Sequence, residues 1–305
     1  MAEPTRSLGA GAQRGEVTIA AMRGRPSPLR RLAQDLRRDR ATTLGITVIL
    51  IIALGALLAP VLPLADPNAT DPALRLASPG EHGFILGSDQ LGRDILSRVI
   101  WGARVSLVVG FVSAGIALLI GGTLGLLSGY LGGFVENAIM RVVDTLMAFP
   151  YVLLAILLVA ALGPGLVNAM LAVAIANVSF YARGVRSAVL VLRDQDYVEA
   201  ARAVGATSWH IVRREILPNV LPTAIVAASL NVGWMITETA GLSFIGLGAQ
   251  PPTADWGTML ADGREVITVA YHVGAIPGLA ILVLVIATNL LGEGLRDALD
   301  PRFRS

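Results

Sequence analysis

The chain has no cysteine and no lysine; each of its 24 basic residues is an arginine. Without thiols there is no disulfide framework, no thiolate nucleophile, no iron–sulfur cluster and no Cys-ligated zinc, and the redox compartment cannot be read. Without lysine there is no Schiff-base chemistry and no G-x-x-x-x-G-K-[ST] phosphate loop, so any ATP used must be hydrolysed by another chain. Histidine is scarce: His82, His210 and His272 fall on distant segments, which argues against a metal site within the chain. Charge is scarce as well, at 15% of residues against about 25% in ordinary soluble domains. With 54% hydrophobic residues, the excess has to be buried in lipid. Acidic and basic residues nearly cancel, 22 against 24, so net charge suggests no nucleic-acid partner.

A bilayer core about 30 Å thick needs about 20 apolar residues in a helix, and several charge-free stretches meet that length. The first runs from Ala41 to Leu64 behind an arginine-rich approach (Arg30, Arg31, Arg37, Arg38, Arg40). It begins too deep in the chain, and is too long, for the short apolar region of a cleaved signal peptide. A second runs from Val105 to Val135 and carries Gly121, Gly125 and Gly129 at i, i+4 spacing, a face that lets another helix approach closely. A third, Thr145 to Ala182, exceeds one span and is divided at Leu162-Gly163-Pro164-Gly165, giving spans near 137–162 and 166–190. An apolar run interrupted only by Glu238, and a final one from Val266 to Gly292, bring the total to six. Glu238 and the nearby Asn231 are candidates to line a solute path, because an ionisable residue at such depth faces a bundle interior or a wet cavity. Of Trp101, Trp209, Trp234 and Trp256, three lie near expected span boundaries and read as an ordinary interfacial belt.

The spans divide the chain into a tail (1–35) expected to be disordered, a first transmembrane helix (36–64), an extracytoplasmic segment (65–104), a five-helix core (105–292) and a C-terminus (293–305). With both termini in the cytoplasm, nineteen arginines lie inside and five outside (Arg75, Arg93, Arg98, Arg104, Arg264), the arrangement that the positive-inside rule favours.

The internal loop 191–218 reads as helix, break, helix. Asp194 or Asp196 caps the first helix and Gly205 ends it in a left-handed conformation. Thr207 or Ser208 starts the second, whose Trp209, Ile211, Val212, Ile216 and Leu217 fall on helical spacing. Two readings fit equally: a stiff lever that a partner pushes, or a hairpin lying in the headgroups with Arg202, Arg213 and Arg214 on anionic lipid.

Glu199-Ala200-Ala201, Gly205 and Ile216-Leu217-Pro218 resemble the E-A-A…G…I-x-L-P loop of binding-protein-dependent ABC importer permeases. Further segments resemble the dipeptide, oligopeptide, glutathione and nickel permease group, C-type subunit: Leu86-Gly-Ser-Asp89-Gln-Leu-Gly92-Arg93-Asp94, Met140-Arg141-Val-Val-Asp144, Ala148-Phe149-Pro150, Gly241-Leu-Ser-Phe244 onward to Trp256-Gly, and Arg296-Asp297-Ala-Leu-Asp300-Pro301. The resemblance covers about residues 36–305. It implies a type I ABC importer permease fold in the cytoplasmic (inner) membrane, with alternating access beside a paralogous second permease. It also implies two ATPase domains that carry ATP and Mg and dock on the 199–218 loop, and an extracytoplasmic solute-binding protein. The chain itself would carry no cofactor and no catalytic residue. Peptides, including glutathione-like ones, are the expected cargo and nickel the alternative. A stand-alone secondary transporter would need internal repeats or intramembrane charge pairs, and the sequence offers one acid and no repeat. No constellation supports an integral-membrane enzyme.

Overall fold

The computed structural model describes Leu36 and residues 39–299. Among them there is no strand, only an isolated antiparallel bridge between Ser88 and Asp94. The 1–35 tail and residues 300–305 lie outside the described residues. Helix α1 spans Arg40–Leu58, α2 Ile95–Leu131, α3 Gly133–Met147, α4 Tyr151–Leu162, α5 Leu166–Arg193, α6 Asp196–Ala203 and α7 Ser208–Ile211. A π-helical turn, Val212–Ile216, leads into α8 (Leu217–Phe244), followed by α9 (Trp256–Glu265) and α10 (His272–Leu299).

Among the described residues, five helical runs are long and apolar enough to cross a membrane: α1, α2, α5, the continuous stretch Ser208–Phe244, and α10. The sixth expected span, 137–162, is not one helix. It is the pair α3 and α4, bent by 94° at residues 148–150. Pro150 explains the bend: it has no N–H to donate back into α3, and its ring disfavours helical backbone at Phe149. The other boundaries shift for equally local reasons. Helix α1 stops at Leu58, just before Pro60 and Pro63. The last helix starts at His272, because Val266–Tyr271, although uncharged, forms turns instead.

Helix α2 begins ten residues before the charge-free run, at Ile95, where Asp94 caps it by accepting from the Leu96 and Ser97 amides. Its 37 residues reach about 55 Å, well beyond the hydrocarbon thickness, so its first turns belong with the 65–104 segment rather than with the span. Those turns carry Arg98, which is only 2% exposed. Its guanidinium donates to the Pro67 carbonyl (2.9 Å) and sits 3.6 Å from Asp89. Asp89 also takes the Arg93 side chain at 2.6 Å and the Arg93 and Leu91 amides. The knot extends to α9: Arg93 lies 3.5 Å from Asp262, whose carboxyl is raised by burial, a shift that the Arg93 and Arg98 charges oppose. Asp89→Asn is expected to cost roughly 3–5 kcal/mol, because it leaves two buried guanidinium groups short of their counter-charge. Asp262→Asn, at a half-exposed position, should cost about 1 kcal/mol or less. Thermal unfolding midpoints in detergent would separate the two; equal midpoints would refute this ranking.

Helices α2 and α5 form the tightest pairing. A Cβ built on Gly121 would lie 2.4 Å from the Val178 carbonyl oxygen, on Gly125 2.5 Å from that of Ala182, and on Gly129 2.8 Å from the Val189 Cβ. All three glycines are buried, so their line is a helix–helix contact within the chain. Trp256 does not belong to an interfacial belt. It is buried at the start of α9, and its indole N–H donates to the Val99 carbonyl (2.9 Å), pinning α9 onto α2.

Candidate functional site

Two features stand out: a helical hairpin at one end of the bundle, and a polar and aromatic face along α8.

The hairpin is α6, a turn, α7 and the π turn. Helix α5 ends at Arg193 with Asp194 as its C-cap, and α6 begins at Asp196 behind Gln195, which makes no side-chain capping bond. Neither aspartate caps α6; Asp196 and Glu199 instead lie in its first turn, where negative charge complements the helix dipole. At the other end the Gly205 amide donates to the Arg202 carbonyl and the Ala206 amide to that of Ala201, both at 3.0 Å. This is the Schellman pattern, with Gly205 at φ +82° as its left-handed residue. Thr207 then caps α7, accepting from the His210 amide (3.3 Å).

The hairpin is rooted in the bundle. Val198, Ile211 and Ile216 are fully buried and cluster with Val185 and Val189 of α5 and Val220 of α8. Ile216 closes the π turn; Leu217 is half-buried and Pro218, in the first turn of α8, is exposed. The opposite face is bare: Glu199, Ala200 and Gly205 are exposed, Ala201 half so. Val204 is 85% exposed and Trp209 70%. The sequence groups Trp209 with the buried stripe, yet it projects away from it. Val204 carried no sequence signal beyond lying next to the glycine. A push on this surface is transmitted to α5 and α8 through a packed apolar root, so the element is mechanically stiff.

The second feature lies on α8. Asn231 donates to Asn177 Oδ1 (3.2 Å) and to the Tyr181 hydroxyl (3.3 Å), and Asn177 donates to the Tyr151 hydroxyl (2.6 Å). The Tyr151 and Trp234 rings are 6.4 Å apart at 56°. Helices α4, α5 and α8 thus share one polar ladder. Glu238 stands two turns beyond Asn231 on the same face, half-buried, within electrostatic range of Tyr151. It is outside the hydrogen-bonded ladder. Sequence reasoning missed Tyr151, Asn177 and Tyr181; the available signal was Asn177, an amide within a charge-free run, which needs a partner there.

Among the described residues no three His, Asp or Glu side chains gather as a metal site. His82 lies in the 65–104 segment, His210 on α7 and His272, buried, at the start of α10.

Residues 121–305 match the family described as binding-protein-dependent transport system inner membrane component, and residues 27–79 match the N-terminal transmembrane domain of oligopeptide transport permease C. The chain is 44% identical over 280 residues to the dipeptide transport system permease protein DppC of Alkalihalophilus pseudofirmus, covering 92% of this chain and 91% of that one. It is 45% identical over 270 residues to the glutathione transport system permease protein GsiD of Pectobacterium atrosepticum, covering 88% and 89%. An inward-facing crystal structure of the MetNI methionine ABC transporter shares the fold at a TM-score of 0.55 and 24% identity, over 67% of this chain and 97% of that one. With a family match over most of its length and relatives aligned nearly end to end, the chain belongs to the inner-membrane components of binding-protein-dependent ABC transport systems, as a multi-span permease subunit without a catalytic site of its own.

Proposed function

We propose that this permease moves peptides, of the di- and oligopeptide or glutathione-like kind, into the cytoplasm by alternating access. The names of its relatives support that cargo, and they do not favour nickel. The observation that carries the mechanism is the hairpin: buried Val198, Ile211 and Ile216 lock it to α5 and α8, while Glu199, Val204 and Trp209 stay bare. That is the form of a docking lever. An ATPase groove that receives it, with ATP and Mg bound on the ATPase, moves two membrane helices when it closes. Both termini lie in the cytoplasm, an orientation supported by the nineteen-to-five distribution of arginines. Asn231 and Glu238 face the solute path, and a paralogous permease supplies its other half. An extracytoplasmic binding protein delivers the cargo on the side where residues 65–104 lie.

Purification in mild detergent after co-expression with the neighbouring genes tests this reading. A second permease and ATPase chains should co-purify, with ATP hydrolysis stimulated by one peptide-loaded binding protein. A chain that purifies alone and transports without ATP is a secondary transporter, and the proposal fails.

A further inference from the structure

Glu238 is the sole charged residue of α8, a 28-residue helix. It makes no ion pair or hydrogen bond among the described residues, where Glu136, Asp144 and Asp89 each hold an arginine. A carboxylate inside an apolar span is costly unless it is protonated or meets a cation, and no arginine among the described residues lies within ion-pair distance of Glu238. Its surroundings are specific. One turn away on the same face is Trp234, 54% exposed, tilted against Tyr151; one to two turns further lie the Asn231, Asn177 and Tyr181 groups. From Glu238 to Asn231 is seven residues, about 10 Å of helix rise. Three residues of extended peptide span about the same distance.

We propose that Glu238 is the subsite that receives the α-ammonium group of the passing peptide. Trp234 and Tyr151 offer their ring faces to that cation, and the half-buried Asn231, held in place by the buried Asn177 and Tyr181, offers its amide to the peptide backbone. Glu238 lies six residues from the end of α8, so in the orientation proposed above it is met first by a solute coming from outside. The path therefore prefers solutes with a free amino terminus, independently of the binding protein. This rests on the peptide-permease reading.

The test uses the complete transporter, with its ATPases and second permease, in nanodiscs without binding protein, and trialanine as probe. Saturation-transfer NMR detects weak binding through the alanine methyl groups. Trialanine should give a transfer signal, N-acetyl-trialanine one about tenfold weaker, a difference of about 1.4 kcal/mol. Glu238→Gln should abolish the preference and Glu238→Asp retain most of it. Equal signals from the two peptides, an unchanged preference in Glu238→Gln, or no signal from trialanine would each overturn the proposal. If Glu238→Gln does not assemble, Glu238→Asp and the peptide comparison on the wild type still decide. The importer reading is scored separately by stimulation of ATP hydrolysis by loaded binding protein: its absence sinks that reading, and stimulation without a peptide preference sinks only the ammonium subsite.

Discussion

Gly125→Leu is expected to abolish accumulation of the folded permease. Position 125 lies at the centre of the α2–α5 contact, and a Cβ there would meet the Ala182 carbonyl oxygen at 2.5 Å, the Val185 Cβ at 2.9 Å and the Arg186 amide nitrogen at 3.0 Å. Two of these are backbone atoms, so no rotamer change can make room; the helices themselves must separate. In lipid that separation is costly for a particular reason. Helix association there rests on close packing rather than on exclusion of water, so the van der Waals attraction that α2 and α5 give up on parting is not recovered elsewhere. Gly125→Ala already over-packs the site and should cost about 1–3 kcal/mol, and leucine adds three more heavy atoms to the same gap. The neighbouring Gly122 provides the control. A Cβ on it meets nothing nearer than the Leu118 Cδ1 at 3.7 Å, and it borders an apolar cavity of about 420 Å³ shared with Leu221 and Ile225. Gly122→Leu should therefore accumulate nearly as wild type. Size-exclusion profiles and thermal midpoints after detergent extraction would measure both. A Gly125→Leu protein that is monodisperse with an unshifted midpoint would show that this pair of helices is not held by contact at that glycine.

The glycine line was legible in the sequence because small residues at i, i+4 spacing have one physical use in an apolar helix, close approach. The break between α4 and α5 and the left-handed Gly205 were legible too, since Gly163-Pro164-Gly165 and a glycine after an eight-residue helix each restrict the backbone directly. What escaped was whatever depended on a partner distant in sequence. The charge-free run starts only after Arg104, an exposed residue whose guanidinium lies over the Trp101 ring, and so misses the first ten residues of α2, among them Arg98, whose charge is met by Asp89 and the Pro67 carbonyl. Trp256 resembled an interfacial indole until the Val99 carbonyl supplied its acceptor. Within the polar ladder, Asn231 was visible as a polar residue near Glu238, yet its partners Asn177 and Tyr181 lie 54 and 50 residues away. The bend at Pro150 is different in kind. It is local, written in Ala148-Phe149-Pro150, but a charge-free run of sufficient length masks a proline that divides it.

Gly205→Val is expected to leave insertion and assembly intact while lowering binding-protein-stimulated ATP hydrolysis and uptake by about tenfold or more, the equivalent of at least about 1.4 kcal/mol at the coupling step. The side chain itself meets no obstacle, because nothing lies within 4 Å of a Cβ built on Gly205. The penalty is in the backbone. At φ +82° a residue with a Cβ pays about 1–2 kcal/mol, and a β-branched one more, so the chain relaxes to negative φ and the two bonds of the Schellman turn break. The roots of the hairpin do not feel this, since Val198, Ile211 and Ile216 remain packed on α5 and α8. The tip does: Val204 and Trp209, on either side of the glycine, no longer present one surface. Gly205→Asn separates conformation from side-chain bulk. Asparagine tolerates the left-handed region, so this variant should keep most of the stimulation despite a side chain as large as valine's. If both variants fail alike, the partner needs bare backbone at 205 rather than a left-handed turn. Should Gly205→Val transport normally, the hairpin is not the lever, and Arg202, Arg213 and Arg214 would place it against the headgroups instead.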